Sequence, residues 1–492
     1  MGKNVVIYIL LAVFTCALAS CTDDENFTIA EGDEVTFSVD TIKFDTVFAN
    51  VPSITKSFWI FNHTGHGLRF NSVGLAKGAK SEFRVNIDGE YLGQSNNYTA
   101  SDIEMRKGDS LRVFVELTAV PNSMDGPQPV DEDLLLNLGN GSQQKVHLSA
   151  YSWNADMLHN MVIANDTTLG GNGRPIVVYG DMKIDSLATL TIKRGTTLYF
   201  HSDAGLQVYG KLLLQGSPDS NVILRGDRLD WMFDYLPYDR VPGQWKGIRF
   251  YEHSYANELI HADIHSSFDG IVIDSSDTKR SKLVAEGLTV HNCQGYGIYC
   301  KNSQITLRNS QISNTLKDCI YMNGGLLNAD HCTIAQFYPF TSPRGYALRL
   351  EDNSKEGLFN IKNSLITGYD DNVLLVPEQK DTTESATYAF EYCVLRTPQR
   401  TSRDSVCFKN VLFENVKDTT SMGEKHFVLV SLDKQKYDFH LSKSSSAIGY
   451  ANLNTSLPYD HDGYKRDDKP DVGAYEYRPD AKDGNNNSTA NN

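Results

Sequence analysis

The chain has 492 residues and a formal net charge of -15, with 40% hydrophobic, 10% aromatic and 22% charged residues. That length exceeds one ordinary globular core, so it requires several domains or a repeat architecture, and the apolar content excludes a wholly disordered chain. The acidic balance excludes a sequence-independent nucleic-acid binder, which needs a basic surface to displace counterions from phosphate; cations and neutral glycans are better-matched company, although acidity also serves solubility alone.

Lys3 precedes an almost wholly apolar run, Val5 to Val13, which leads to Leu18-Ala19-Ser20-Cys21. A short positive region, an apolar stretch and small residues ahead of a cysteine make residues 1–20 a signal peptide, and its end looks like a lipobox. That resemblance implies that the Cys21 thiol is diacylated and that Cys21 begins the mature chain. Two or three acyl chains anchor stably, at about 0.8 kcal/mol per buried methylene. The apolar run is too short for a comfortable transmembrane helix. Residues 21–33 read as an acidic tether. Within them Thr22-Asp23-Asp24-Glu25 resembles the export signal that sends lipoproteins of Bacteroidetes to the outer face of the outer membrane, so the expected location is the cell surface, with the outer membrane as partner through the lipid.

Residues 34–152 carry short alternating strands, the pattern of sheets with one buried face. Val35, Phe37 and Val39 alternate with polar residues, as do Leu111, Val113, Val115 and Leu117, and Val146, Leu148 and Ala150 follow an Asn140-Gly141 hairpin turn. An immunoglobulin-like β-sandwich fits.

From residue 153 to 435 the strands recur at a fixed distance. Met182 and Ile184 return as Leu206 and Val208, Leu190 and Ile192 as Leu212 and Leu214, and Leu198 and Phe200 as Val222 and Leu224, with Gly195 and Gly216 at corners. Three strands repeating together describe a parallel β-helix, each turn roofing the one beneath. Between residues 247 and 377, six segments align as one strand in successive turns, at Ile248, Ile271, Ile298, Ile320, Leu348 and Leu374. A second strand precedes each of the last five, centred on Ile264, Val290, Ile312, Ile334 and Ile366, and Asn292 and Asn314 follow two of these as a candidate asparagine ladder at a corner. Asp227 to Pro242, rich in aromatic and acidic residues, is too long for a corner and should project or cover one flank. Cys293, Cys300, Cys319, Cys332, Cys393 and Cys407 form no CxxC pair and read as buried thiols.

The Phe44-Asp45-Thr46-Val47-Phe48 run, the Pro242-Gly243-Gln244-Trp245-Lys246-Gly247-Ile248 segment and the coil turns together resemble the right-handed parallel β-helix repeat lipoproteins of Bacteroidetes. The resemblance implies an all-β fold, a β-sandwich followed by a right-handed parallel β-helix, on an exported protein; it leaves activity undefined. Residues 436–478, with Ser446-Ala447-Ile448 and Pro470 to Tyr477, look like the closing segment of bacterial surface β-helix proteins, with Gly449 where an acidic residue is usual. Residues 479–492 are a polar tail.

Because side chains alternate across a strand, Arg249, Val272, Tyr299, Tyr321, Arg349 and Leu375 should face outward, with Asp274, Lys301, Asn323 and Glu351 just beyond. Stacked at about 4.8 Å per turn, they offer a candidate glycan-binding groove: tyrosines present flat apolar faces and Arg249 and Arg349 can pair with uronate or sulfate. The bland alternative is an ordinary exposed sheet.

The coil also occurs in polysaccharide lyases and hydrolases. A calcium-dependent lyase could use Asp263, Asp269 and Asp274 as ligands with Lys301 or Arg249 as base; a hydrolase could use Asp318, Glu351 and Asp352. Turn carboxylates explain the same residues. Asp460-His461-Asp462-Gly463 has a DxDG spacing but lacks the rest of a calcium loop and reads as a turn. His265 and His291 have no partner at metal spacing and read as surface or corner residues. No cofactor is expected beyond a possible Ca2+. Three readings therefore stand: a glycan-binding surface lipoprotein, a lyase or hydrolase of a uronate-containing glycan, and a structural or adhesive stalk.

Overall fold

A computed structural model describes residues 27, 30–124, 126–352, 357–377, 387–399 and 403–479. The signal peptide, Cys21 with the acidic residues after it, and the tail from residue 480 lie outside the described residues. Among the described residues every regular element is a strand or a short 3-10 turn, and no helix is long and apolar enough to cross a membrane. They divide into two compact units, one ending at Trp153 and one beginning at Asn154.

The first unit is a β-sandwich of two five-stranded sheets. In one, the Ser110–Leu117 strand runs antiparallel between Lys56–Phe61 and Phe83–Ile87. Its Val113, Val115 and Leu117 are fully buried while Arg112 and Phe114 face out, as period-two alternation requires. The other sheet orders Thr41–Phe48, Gln143–Trp153, Gln128–Leu138, Leu68–Leu75 and Thr99–Met105 side by side. Phe58, Ile60 and Val85 from the first sheet meet Leu134, Leu136 and Leu148 from the second in one core. The strand expected from Val35 to Val39 shortens to Thr36–Phe37 and leaves Val39 exposed.

The second unit is a parallel β-helix. One sheet of 17 strands and one of 11 run along it, every pairing between turns being parallel. In the larger sheet Ile248 pairs with Ile271, then Ile298, Ile320, Leu348 and Leu374, turn upon turn. In the smaller, Leu224, Ile264, Val290, Ile312, Ile334 and Ile366 stack likewise. These side chains are fully or almost fully buried in a single core, each contributing about 1.5–3 kcal/mol relative to exposure, and only because another turn lies above or below.

One register differs from the sequence reading. Leu198 pairs with Leu224 and Phe200 with Gly226, two residues beyond the expected Val222 and Leu224. Gly226 interposes no side chain, and the ring of Trp245 lies flat on Phe200, centroids 4.3 Å apart. Trp245 also donates from Nε1 to the His265 carbonyl, so the aromatic insert replaces the expected aliphatic rung. At the corners Gly195 takes a positive φ of 72°, and a Cβ on Gly216 would meet the His261 carbonyl at 2.0 Å. Asn292 and Asn314 have φ of 53° and 54°. Asn314 Oδ1 is buried without a hydrogen-bond partner, so left-handed backbone geometry, not a side-chain ladder, is what the asparagine supplies.

Residues 227–242 form a short hairpin, Trp231–Phe233 against Leu236–Pro237, then a 3-10 turn. Its tip projects Trp231, Phe233 and Tyr235 into solvent. The last coil strands are Phe408–Lys409 and Leu412–Phe413, so the coil ends earlier than residue 435. A hairpin of Phe427–Ser431 and Lys436–Leu441 follows. It and residues 447–475 pack Phe427, Phe439 and Val472 onto Ala335, Phe337 and Leu365, the outer face of the smaller sheet.

Candidate functional site

The larger sheet carries two outward columns. The first runs Lys183, Gln207, Arg249, Val272, Tyr299, Tyr321, Arg349 and Leu375 in register. Two residues on, Lys301, Asn323 and Glu351 align, and Asp274, Tyr251 and Tyr209 follow the corresponding inward residues Ile273, Phe250 and Val208. All eight candidate residues thus share one wall. They do not form one continuous groove.

The first stretch is open. Tyr209 and Tyr251 stack with centroids 3.9 Å apart and planes 9° from parallel. Arg249 lies over Tyr251 at 5.1 Å and pairs through Nε and Nη2 with the two oxygens of Asp274, at 3.1 and 3.0 Å; that pairing raises the Arg249 pKa. Burial first, then the Tyr209 hydroxyl, pushes the Tyr251 phenol up to about 12. Beside the stack is a cleft of about 900 Å³, whose lining includes Tyr209, Tyr251, His253, Asp274 and Lys301. Tyr209 and Tyr251 went unread in the sequence. The signal was present: each occupies, in an earlier turn, the position of Asp274 and Lys301.

The second stretch is closed on itself. Tyr299 lies 5.0 Å from both Tyr296 and Tyr321. Tyr321, expected to face solvent, is only 9% exposed. Arg349 covers its ring at 4.5 Å, and its hydroxyl donates to Glu351 Oε2 at 2.7 Å. Burial and that bond raise its pKa. Arg349 donates to the other oxygen of Glu351, at 3.0 Å from Nε, and lies 3.8 Å from Asp318. Asp318 is buried, accepts the Tyr346 N–H, and has its pKa raised by that burial. Burial works the same way at Glu351, but the bonds from Tyr321 and Arg349 outweigh it and hold its pKa low. Asp318 and Glu351, weighed as a hydrolytic pair, are joined through one guanidinium. Asn323 sits in register between Lys301 and Glu351.

The three carboxylates considered for calcium do not meet. Asp263 is on the smaller sheet, Asp269 accepts the Tyr296 N–H at a corner, and Asp274 holds Arg249 on the larger sheet. Asp460 forms the expected turn: its Oδ1 accepts the N–H groups of Asp462 and Tyr464.

His265 and His291, read as lone surface or corner residues, are partners. They occupy the same position in consecutive turns, with rings 4.7 Å apart. Asp263 lies two residues before His265 on the same outward face. Its Oδ1 is 2.9 Å from His265 Nδ1 and 3.2 Å from His291 Nε2. Burial opposes protonation of both rings; it prevails at His265, lowering its pKa, whereas Asp263 prevails at His291 and raises it. Burial would also raise the Asp263 pKa, but the two imidazoles hold it well below the usual carboxylate range. The sequence signal was Asp-x-His, with a second histidine one turn later.

Stacked parallel strands with an aromatic and charged outer wall define a parallel β-helix protein. In agreement, residues 244–381 match the family model described as a right handed beta helix region. No curated protein matches the chain. Among solved structures, it is similar to the catalytic unit of a GH87 alpha-1,3-glucanase from Streptomyces thermodiastaticus strain HF3-3, at 10% identity and a TM-score of 0.23, over 73% of this chain and 88% of that one. The PapD-like domain 7 of human CEP192 matches 28% of this chain and 97% of its own length, at 12% identity and a TM-score of 0.18. The VesB protease of Vibrio cholerae matches at 15% identity and a TM-score of 0.16, over 24% of this chain; the chain spans only 31% of that protease. No function is carried over from these likenesses.

Proposed function

We propose that this chain is a lipid-anchored protein of the outer membrane surface that presents the wall of its coil to a glycan. The observation that carries the reading is the half-buried Tyr209–Tyr251 stack beside a cleft bearing Asp274 and Lys301. Aromatic faces suit the apolar faces of sugar rings, and a few placed polar groups fix orientation. Successive rungs at about 4.8 Å approximate the rise per sugar of an extended polysaccharide. Lys301 and the exposed Arg249 match carboxylate or sulfate substituents. The anchor rests on the Leu18-Ala19-Ser20-Cys21 motif and the acidic residues behind it.

Affinity electrophoresis through gels containing pectin, alginate, glycosaminoglycan or neutral glucans tests the binding. Retardation in at least one gel, reduced about tenfold or more by Tyr209→Ala with Tyr251→Ala, is the expected result. Retardation that the double variant leaves untouched would sink this wall as the site. Unsaturated uronate absorbance or new reducing ends in the same mixtures would reassign the wall to cleavage. For the anchor, Cys21→Ser should release the protein from the membrane fraction, and external protease should degrade the unaltered chain on intact cells.

A further inference from the structure

On the smaller sheet, away from the wall just described, the geometry points to a binding site for a divalent transition-metal ion at Asp263, His265 and His291. Asp-x-His on one strand supplies two of the ligands, and the coil brings the third from the next turn. Asp263 and His265 are two apart on one strand and so project from the same face. His291 stands one turn above His265. One donor atom from each of the three residues lies within 4.8 Å of the others, and Asp263 Oδ1 already lies within hydrogen-bond distance of both rings.

Two imidazoles and a carboxylate are the borderline-soft donor set that Zn2+ and its neighbours prefer, with bonds of about 2.0–2.2 Å. Small ring rotations bring the three donors to one point. His265 Nδ1 and His291 Nε2, which now face Asp263, would turn lone pairs to the ion, each ring keeping its proton on the other nitrogen. The side chains of Asp263 and His291 are about a quarter exposed, at 26% and 24%, while His265 beneath is 9% exposed. The ion therefore has a route in and a position open to water. Arg225, whose charge acts on His265, is itself paired with Asp239 at 3.7 Å.

His440 supplies the contrast. It also touches two carboxylates, but Asp438 through Nδ1 and Asp462 through Nε2. Those nitrogens point away from each other, so one ion cannot engage both contacts. Among the described residues, Asp263, His265 and His291 form the one such convergent group.

The test is calorimetric titration of metal-stripped full-length protein with Zn2+ at pH about 7.5, above the ordinary histidine pKa, alongside Co2+ titration read by visible absorption. Saturable one-to-one binding and intense tetrahedral Co2+ bands are expected. His291→Ala and Asp263→Asn should each weaken binding by about tenfold or more, while His440→Ala should leave it unchanged. His291 is the rim ligand, so its variant keeps the test informative should substitution of His265 disturb folding; circular dichroism verifies the fold of each variant. Absence of saturable binding, or binding that survives both His291→Ala and Asp263→Asn in folded protein, overturns the site.

Discussion

Tyr251 lies flat on Tyr209 of the preceding turn, ring centroids 3.9 Å apart. The pair arises because the strand holding Phe250 pairs with the one holding Val208, which sets the next outward residues face to face. Neither ring contributes to the buried core, so the pair is separable from the fold. Replacing both with alanine should shift the thermal midpoint by no more than a few degrees, equivalent to about 1 kcal/mol, while abolishing most glycan retention. A collapse of the melting transition would show the stack to be structural.

The last coil strand and the closing segment share a buried charge network. Glu414 accepts from Arg396 Nη1 at 3.0 Å and lies 3.2 Å from His426 Nε2, its side chain fully buried. Glu414→Ala should cost about 3–5 kcal/mol in urea unfolding, because Arg396 would lose its buried partner and keep only the exposed Asp371 at 3.5 Å. Burial pushes the Glu414 pKa up, but the bond and charge of His426, then the bonds from Thr367 and Arg396, outweigh it and the net shift is downward. A depressed carboxylate contributes stability above its unfolded pKa and loses it as pH falls through the folded value. The difference between the parent protein and Glu414→Ala should therefore shrink as urea titrations move from neutral pH to below the ordinary glutamate range.

His440 should give the opposite pH dependence. Burial works against its charge, yet Asp438 and Asp462 raise its pKa to about 9 from 6.5. A raised folded value contributes stability that is complete below 6.5 and lost as pH rises through 9. The thermal midpoint of His440→Gln should fall furthest below that of the parent near pH 6 and approach it near pH 10. A gap that is constant across this range would exclude the charged pairing.

At the corner position two residues after Ile312, Asn314 has a φ of 54°. If backbone geometry is what the position demands, Asn314→Gly should be tolerated better than Asn314→Ala, by about 1 kcal/mol in chemical denaturation. Equal losses in the two variants would instead assign the stability to the asparagine amide.

The sequence alone determined which residues of the coil face inward, which turn stacks on which and, with one exception, in what register. Inward Ile298 and Ile320 and outward Tyr299 and Tyr321 follow from strand alternation and a recurring interval, and in a parallel β-helix the nearest neighbours up and down the stack lie one such interval apart. The exception, Phe200 against Gly226, follows from a longer corner before that strand: Ile192 pairs with Leu214 but Leu198 with Leu224, and the Ser217–Ser220 bridge lies between the two pairings. What outward side chains do was decided only by tertiary structure. Tyr321 is covered because Arg349 bends over it toward Glu351, and His265 meets Asp263 because both project from one strand face toward the histidine above. Backbone stacking is fixed by period and register, whereas coverage and convergence depend on how long side chains, loops and the closing segment fold back across turns. A one-dimensional interval does not encode those arrangements.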